Sequence, residues 1–592
     1  MTNIEIDQTN DPTPTIRGHS SLVISSDDRS RRRTGVRSSL VTLSDGLMLP
    51  IAILAAWLRF GDLARLPLSA AEATAALANW QFWSAAPLDV AVSSPAYFAF
   101  THLVMSLGAS GDVAARFVPA VFGLLTVLLV WLMRGRVRPV AWLGAGLFLA
   151  VSPLLVAVSR TAGGDAIALF ALLLIAVTWN GRDRRSTVLA GAGLGLGLAS
   201  APLFYTGLVG LVIAGLAGGE ERNLSRLRYM AIAAAITFAA VSTSMLLFPA
   251  GLGAALRIFP TWLGQFGLPT DASAAVSPLL ALLRYDPAVY VLGVPAAVWC
   301  LRVRNRGRGP AVWLAVTAAL VVLQSGTMVN VTAAILPACL LIGLLAAEIA
   351  RQADPTPVIG RHTTLYTAVA ILGLGALLLV ATGRLARLNL LSGENAMLIA
   401  LSMLAFVLAG AAVLLAMAWE SPAARRGLLA GAVGLLLFWH WGTAWQLSRL
   451  GANDPRERWV QTGTDDDVSL LIPLLQDISR QLVNSPRDLT IAGQVESPVL
   501  RWYLRDFAGF EYGPALPINT SADVIITPID AEPSLSNDYF GADFGLERRE
   551  VPNVGPVMVS DALKWWLFRE STAATDDRRI VLWVRSDLAR GE

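Results

Sequence analysis

The chain of 592 residues is 55% hydrophobic and only 15% charged, well under the ~25% charge usual in soluble globular proteins. Its formal net charge of +3 rests on arginine, with Lys564 the one lysine, and no basic stripe with interleaved aromatics accompanies it, which excludes nucleic acid as a partner. Two cysteines in apolar runs, Cys300 and Cys339, and four scattered histidines, His19, His102, His362 and His440, exclude a disulfide scaffold and a zinc module.

In chain order, residues 1–40 are rich in Ser, Thr, Asp, Pro and Arg and predict a disordered cytoplasmic tail. The apolar run that follows lies too late and runs too long for a cleaved signal peptide. Apolar runs then recur at the length needed to cross ~30 Å of hydrocarbon. Spans are expected over 41–59, 113–133, 139–158, 166–180, 187–201, 203–218, 230–249, 286–301, 311–325, 330–350, 363–382, 395–418 and 427–447. The expected fold is thus an α-helical polytopic membrane protein of about thirteen transmembrane helices occupying 41–449. Arginine clusters at Arg31 to Arg33, Arg134 to Arg138, Arg182 to Arg185, Arg302 to Arg308 and Arg425 to Arg426 fall on one side only if the N-terminus is cytoplasmic and 95–108 does not cross. That fourteen-residue segment suits an interfacial helix.

Two outer loops are long, 60–112 and 250–285; in the second, Phe259, Trp262 and Phe266 recur at helical spacing, which predicts an amphipathic helix lying on the bilayer and flanking lipid access. Residues 450–592 change character to acidic clusters, short β-like runs and Pro/Gly turns, which predict an extracytoplasmic α/β domain. The run Gly191 to Gly197 places small residues at helical spacing, a signature of close helix packing rather than a nucleotide loop. His440, between Trp439 and Trp441, is expected to be an interfacial or packed group. No internal repeat is evident, which argues against an inverted-repeat transporter.

Acidic residues at a membrane edge are candidates for function. Glu72 stands three residues after Ser69 at the head of a helical segment, so a capping box explains it as well as a catalytic role does, and the two are compatible. Asp165 opens the span 166–180, where helix-dipole complementarity is the plainer account. Asp62, Asp89 and Asp271 sit in loops and are expected to be solvated.

The order of Pro67-Leu-x-x-x-Glu72-Ala-x-x-Ala76, Ser94-Pro-Ala-Tyr-Phe98, the run 108–123, Ser152-Pro-Leu-Leu-Val156 and Ser159-Arg160-x-x-x-x-Asp165 resembles the GT-C class of polytopic glycosyltransferases. Within it the chain is most similar to relatives of the protein mannosyltransferase and aminoarabinose transferase group. Trp502-Tyr-Leu-Arg505 resembles a segment of the flippase-associated glycosyltransferase-like subgroup. The resemblance implies transfer of a sugar from a polyprenyl-phosphate donor to a glycan, lipid or protein acceptor at the outer face of a bacterial or archaeal plasma membrane. It implies Glu72 and Asp165 as catalytic carboxylates, or as ligands of a divalent ion (Mg, Mn or Zn), in one outer cavity, with Arg160 and Arg116 on the donor phosphate. Where the family usually shows Asp-Glu, Ala71 precedes Glu72; either Glu72 serves alone, Asp62 substitutes, or the site is silent. A catalytically silent glycolipid-binding protein and a lipid or solute transporter are the rival readings.

Overall fold

The computed structural model describes residues 43–586 apart from 180, 182, 218–223, 268–271, 304–306, 325–327, 353–357, 388–402, 405, 412, 416–417, 420, 458, 460–461, 517–519, 532–537, 552–564 and 566–574. The expected tail over 1–40 lies outside the described residues, as does much of the span expected over 395–418. Leu47–Glu592 form one compact unit.

The helices that build the site come early. They are α1 (Leu43–Phe60), α2 (Ala70–Trp83), α3 (Pro95–Ser106), α4 (Gly111–Leu129), α5 (Pro139–Val151), α6 (Pro153–Ser159) and α7 (Asp165–Trp179). Their starts follow from local chemistry. Ser94 and Ser152 are N-caps, each followed by a proline at the first helical position, where the missing N–H costs nothing and the fixed φ favours the helix. Pro153 also ends α5, because proline disfavours helical backbone at the preceding residue. Hence α5 and α6 form a pair bent by 62° at Ser152, apolar and long enough only together to span a membrane.

By length and apolar character, three helices among the described residues can cross a membrane, Gly111–Met133, Met328–Arg351 and Pro422–Leu450, or up to five if bent pairs count as single spans. The second bent pair, Ser277–Tyr285 with Val289–Val303, turns by 95°. Asp165–Trp179, Pro202–Ala217 and Arg308–Leu323 are shorter apolar helices; at 1.5 Å per residue each reaches under ~25 Å, short of the hydrocarbon thickness by itself. Helix length therefore establishes fewer crossings than the thirteen expected, because breaks and short helices divide the apolar runs. The segment 95–108 forms the twelve-residue α3, too short to cross.

Asp286 stands at the break of the second bent pair, and its Oδ2 accepts the N–H of Leu154 at 3.2 Å, so one broken helix is tied to the first turn of the other. His440 is buried beside this tie, with Nε2 3.7 Å from Asp286 Oδ1 and Nδ1 2.7 Å from the Leu436 carbonyl.

Small residues set the helix spacing elsewhere. A Cβ built on Gly191 would lie 2.3 Å from the Met230 carbonyl oxygen, and one on Gly195 would lie 2.2 Å from that of Ala234. Both glycines sit on the helix Arg184–Leu198 against Leu224–Ser242, so two backbones touch and neither can retreat cheaply. Gly195→Val is expected to fail to yield monodisperse protein on size-exclusion chromatography in detergent, whereas a valine at Gly253, where nothing lies within 4 Å, should elute as the parent does.

Beyond the last span comes a six-stranded sheet of β1 (Thr462–Thr464), β2 (Thr490–Gly493), β3 (Gly509–Tyr512), β4 (Val524–Pro528), β5 (Tyr539–Glu550) and β6 (Thr575–Arg585). Its order is β1-β5-β6-β4-β2-β3, with β2 parallel to β3 and β4 and the remaining pairs antiparallel. Val524, Ile525 and Ile526 of β4 are all buried, as befits a strand covered on both faces. The helix Asp467–Val483 turns Val468, Leu471 and Leu475 inward, the i, i+3, i+7 stripe of a helix on a core. A C-terminal sheet thus stands within 450–592, where β-like runs are expected.

Candidate active site

The cavity that gathers the sequence-derived candidates has a volume of about 510 Å³ and is lined by Glu72, Arg116, Arg160 and Asp165. Asp62, Arg65 and Arg449 share its wall, with Trp459 as the aromatic face and Met328, Val329 and Leu447 on the apolar side. Thus both predicted carboxylates and both predicted arginines face one space.

Glu72 is fixed from several directions. Ser69 caps α2, and both halves of the capping box are made: the Glu72 N–H donates to Ser69 Oγ at 3.4 Å and the Ser69 N–H donates to Glu72 Oε2 at 3.0 Å. Arg116, from α4, grips the same carboxylate in a fork, Nε to Oε1 and Nη2 to Oε2, each at 2.8 Å. The Ala162 N–H, just before α7, donates to Oε1 at 2.9 Å. Burial alone would push this carboxyl up, but the charge and hydrogen bonds of Arg116, with the N–H groups of Ser69 and Ala162, hold it below the usual carboxylate range.

A carboxyl lowered in the folded state stabilises only while ionised: the contribution is full above its unfolded pKa and is lost as pH falls through the folded value. The gap in thermal midpoint between the parent and Glu72→Gln should therefore be constant near neutral pH and shrink in acid, below about pH 4. A gap that widened on acidification would contradict this assignment.

The other guanidiniums hold backbone. Arg160, which follows α6, donates through Nη1 to the carbonyls of Arg59 (3.1 Å) and Gly61 (2.5 Å), through Nη2 to Asp62 (2.9 Å) and through Nε to Ser448 (3.2 Å). Arg449 Nη2 donates to the carbonyls of Trp57 (3.0 Å) and Gly61 (3.2 Å), and its guanidinium stacks 4.0 Å from the Trp445 ring centroid. Apart from that of Ser448, these carbonyls lie at or just past the C-terminus of α1, where a cation also meets the negative end of the helix dipole. Asp62 turns the chain there with φ of 54°, a left-handed conformation that aspartate tolerates better than most residues. Carbonyls accept from the Arg160 guanidinium and from Arg449 Nη2 but leave the charge of both groups in place. Burial first, then the charges of Arg449 and Arg116, press Arg160 down to about 9 against the opposing pull of Asp62 and Glu72. Arg65 is exposed at the rim.

Arg116 differs from the other two. Its donors are committed to Glu72 and to the carbonyls of Leu63 (2.9 Å), Leu66 (2.8 Å) and Pro67 (3.2 Å), so its charge is already matched. Asp165 lines the cavity at the head of α7, and among the described residues no hydrogen bond or ion pair engages its carboxylate.

A divalent ion on Glu72 and Asp165 does not fit this donor set. Both Glu72 oxygens already accept hydrogen bonds from Arg116, Ser69 and Ala162, and the described residues hold no group of three or more His, Cys, Asp or Glu placed to bind a metal. The cations on this wall are arginines.

Phe259, Trp262 and Phe266 form their own aromatic cluster. Trp262, buried on the helix Gly251–Leu263, donates its indole N–H to Thr206 Oγ1 at 3.0 Å; Phe259 and Phe266 pack on its ring at 5.7 and 5.0 Å between centroids. The helix ends at Leu263, so Phe266 lies beyond it, and of the three only Phe259 is well exposed. None of them is among the residues lining the cavity.

Sequence reasoning missed Arg449, which lies 388 residues from its partner Gly61; its position at the end of the last span was the only signal. It also assigned no role to Asp286 or Asp112.

Fold and cavity together describe a mostly helical protein with several candidate membrane spans, a polar cavity beside them and a C-terminal sheet. Residues 92–247 match the family described as dolichyl-phosphate-mannose-protein mannosyltransferase, the stretch that contains Arg116, Arg160 and Asp165. Among solved structures, the chain is similar to ArnT from Cupriavidus metallidurans in the apo state, with 13% identity over 92% of this chain and 99% of that one and a TM-score of 0.53. It is also similar to the same protein bound to undecaprenyl phosphate, with 14% identity, the same coverage and a TM-score of 0.52. No curated protein sequence matches the chain significantly. The resemblance to the mannosyltransferase and aminoarabinose transferase group is thereby borne out, at the level of a family segment and a shared fold.

Proposed function

We propose that the protein is an integral-membrane glycosyltransferase that moves a sugar from a polyprenyl-phosphate donor to an acceptor entering from the outer aqueous side. The observation that carries this reading is one cavity wall holding Asp165, whose carboxylate no described residue engages, beside Arg160 and Arg449, whose guanidiniums donate to backbone carbonyls and form no ion pair among the described residues, with Arg65 at the rim. The undecaprenyl phosphate bound to ArnT in one of the two similar structures supports a lipid-phosphate ligand.

In the reaction proposed, an acceptor hydroxyl oxygen attacks the anomeric carbon, the bond from that carbon to the donor phosphate oxygen breaks, and the electron pair leaves with the polyprenyl phosphate. Asp165 takes the hydroxyl proton. Arg160, Arg449 and Arg65 stabilise the charge that grows on the departing phosphate. Glu72 serves as the fixed carboxylate that locks Arg116 and the loop 61–69 in place, while Trp459 offers an apolar face to the sugar. The polyprenyl chain lies along the side formed by Met328, Val329 and Leu447. The second-loop aromatics, through Phe259, are proposed to border its entry. On this reading the C-terminal sheet and the rims of both long loops are extracytoplasmic and the N-terminus is cytoplasmic.

Incubation of the purified protein with a panel of radiolabelled polyprenyl-phosphate sugars tests the proposal. Release of polyprenyl phosphate with label passing to an acceptor or to water supports it. Saturable donor binding with no turnover would make the protein a silent glycolipid binder, and donor movement across sealed vesicles without chemistry would make it a transporter; either overturns the enzymatic reading.

A further inference from the structure

The loop that delivers Glu72 is held in part by residues more than 380 positions away. Leu68 is wholly buried immediately before the Ser69 cap, so its N–H and C=O each need a partner. Both partners come from beyond the last membrane span: Tyr503 Oη accepts the Leu68 N–H at 2.8 Å, and Thr464 Oγ1 donates to the Leu68 carbonyl at 2.7 Å. Asn453 Nδ2 donates to the neighbouring Pro67 carbonyl at 3.0 Å. Tyr503 in turn donates its own hydroxyl proton to Asp112 Oδ2 at 2.6 Å, while the Trp502 indole N–H donates to Asp112 Oδ1 at 2.9 Å. Asp112 lies in the first turn of α4, the helix that carries Arg116. A single phenol oxygen thus bridges the backbone before Glu72 and the helix bearing its ion-pair partner.

We propose that the C-terminal domain is a positioning element of the active site: Tyr503 and Thr464 clamp Leu68, and Tyr503 and Trp502 clamp Asp112, so that the Glu72–Arg116 pair and the cavity wall built on it take their working geometry only with the domain docked. The inference rests on the glycosyltransferase reading for its kinetic consequence and on hydrogen bonding alone for its structural one. The arrangement differs from ordinary packing because the clamp acts on backbone. Hydrophobic contact could hold the domain in place without fixing residue 68, whereas paired N–H and C=O groups set both its position and its orientation.

The test uses the full chain with Tyr503→Phe and Thr464→Val, each of which deletes a hydroxyl while nearly preserving shape. Tyr539→Phe serves as the control, since it removes a comparable phenol hydrogen bond, to the Ala522 carbonyl, within the same domain. Amide hydrogen exchange of the peptide spanning 66–72 should rise roughly tenfold in the first two, the scale of one buried hydrogen bond, and stay at the parent level in the control. In transfer assays Tyr503→Phe should lower kcat by a similar factor with KM for the donor little changed, since the phosphate-facing arginines are untouched. Parent-level exchange at 66–72 in both folded clamp variants would overturn the proposal, as would an equal rise in Tyr539→Phe. The exchange result stands without any transfer assay, so a parent protein that transfers no sugar would sink the glycosyltransferase reading and leave the clamp to be judged by exchange.

Discussion

Asp165→Asn should reduce sugar transfer by about 10²–10⁴-fold, the range contributed by a positioned general base, while donor binding persists. Asparagine keeps the size of the side chain and cannot take a proton. The cavity wall carries three carboxylates, Asp62, Glu72 and Asp165. Glu72 is held ionised below the usual carboxylate range and surrounded by donors, which makes it a poor proton acceptor near neutral pH. Single-turnover kinetics with a labelled donor separate the effects: kcat should collapse while the dissociation constant stays near that of the parent. Retention of full kcat would move the base role to Asp62, the remaining carboxylate on the wall.

The largest expected effect on stability comes from Arg116→Ala. Removing one partner of a buried, bidentate pair costs about 3–5 kcal/mol because the other charge stays buried alone; here the carbonyls of Leu63, Leu66 and Pro67 lose a donor as well. Thermal or denaturant unfolding in detergent at neutral pH measures it. A double replacement, Arg116→Met with Glu72→Leu, should recover part of the loss, since well-packed apolar residues can substitute for a buried ion pair, yet it should leave transfer impaired if the pair shapes the cavity. Equal stability of Arg116→Ala and the parent would show that the pair is not buried in the membrane-embedded protein as it is here.

The capping box at Ser69 and Glu72 was legible because its partners are three residues apart and its physics is that of a helix start. The close packing of Gly191 and Gly195 was legible for the same reason: small residues recurring at helical spacing leave room for a neighbouring backbone. The apolar runs announced a membrane protein, but their length could not show that Pro153 bends one run by 62° or that the run near Asp286 turns by 95°. What lies outside local reasoning is the identity of each partner. Nothing around residue 449 announces that its guanidinium caps a helix ending at residue 60, and nothing in Trp502-Tyr503 names Leu68 or Asp112. Arg116 was assigned to the donor phosphate on resemblance; the fork to Glu72 that occupies it emerges only when α2 and α4 are brought side by side.

The reach of those partnerships also bears on synthesis. The loop 61–69 leaves the ribosome early, yet the groups that close it, Arg449, Asn453, Thr464 and Tyr503, arrive 386 to 435 residues later. Until then the carbonyls at the end of α1 and the backbone of Leu68 must remain hydrated or borrow other partners, and long-range closure of this kind is the slow, late part of folding. A nascent chain stalled before residue 450 would have inserted its early spans but could not assemble this cavity, so any glycosyl transfer should switch on only once the C-terminal sheet is made.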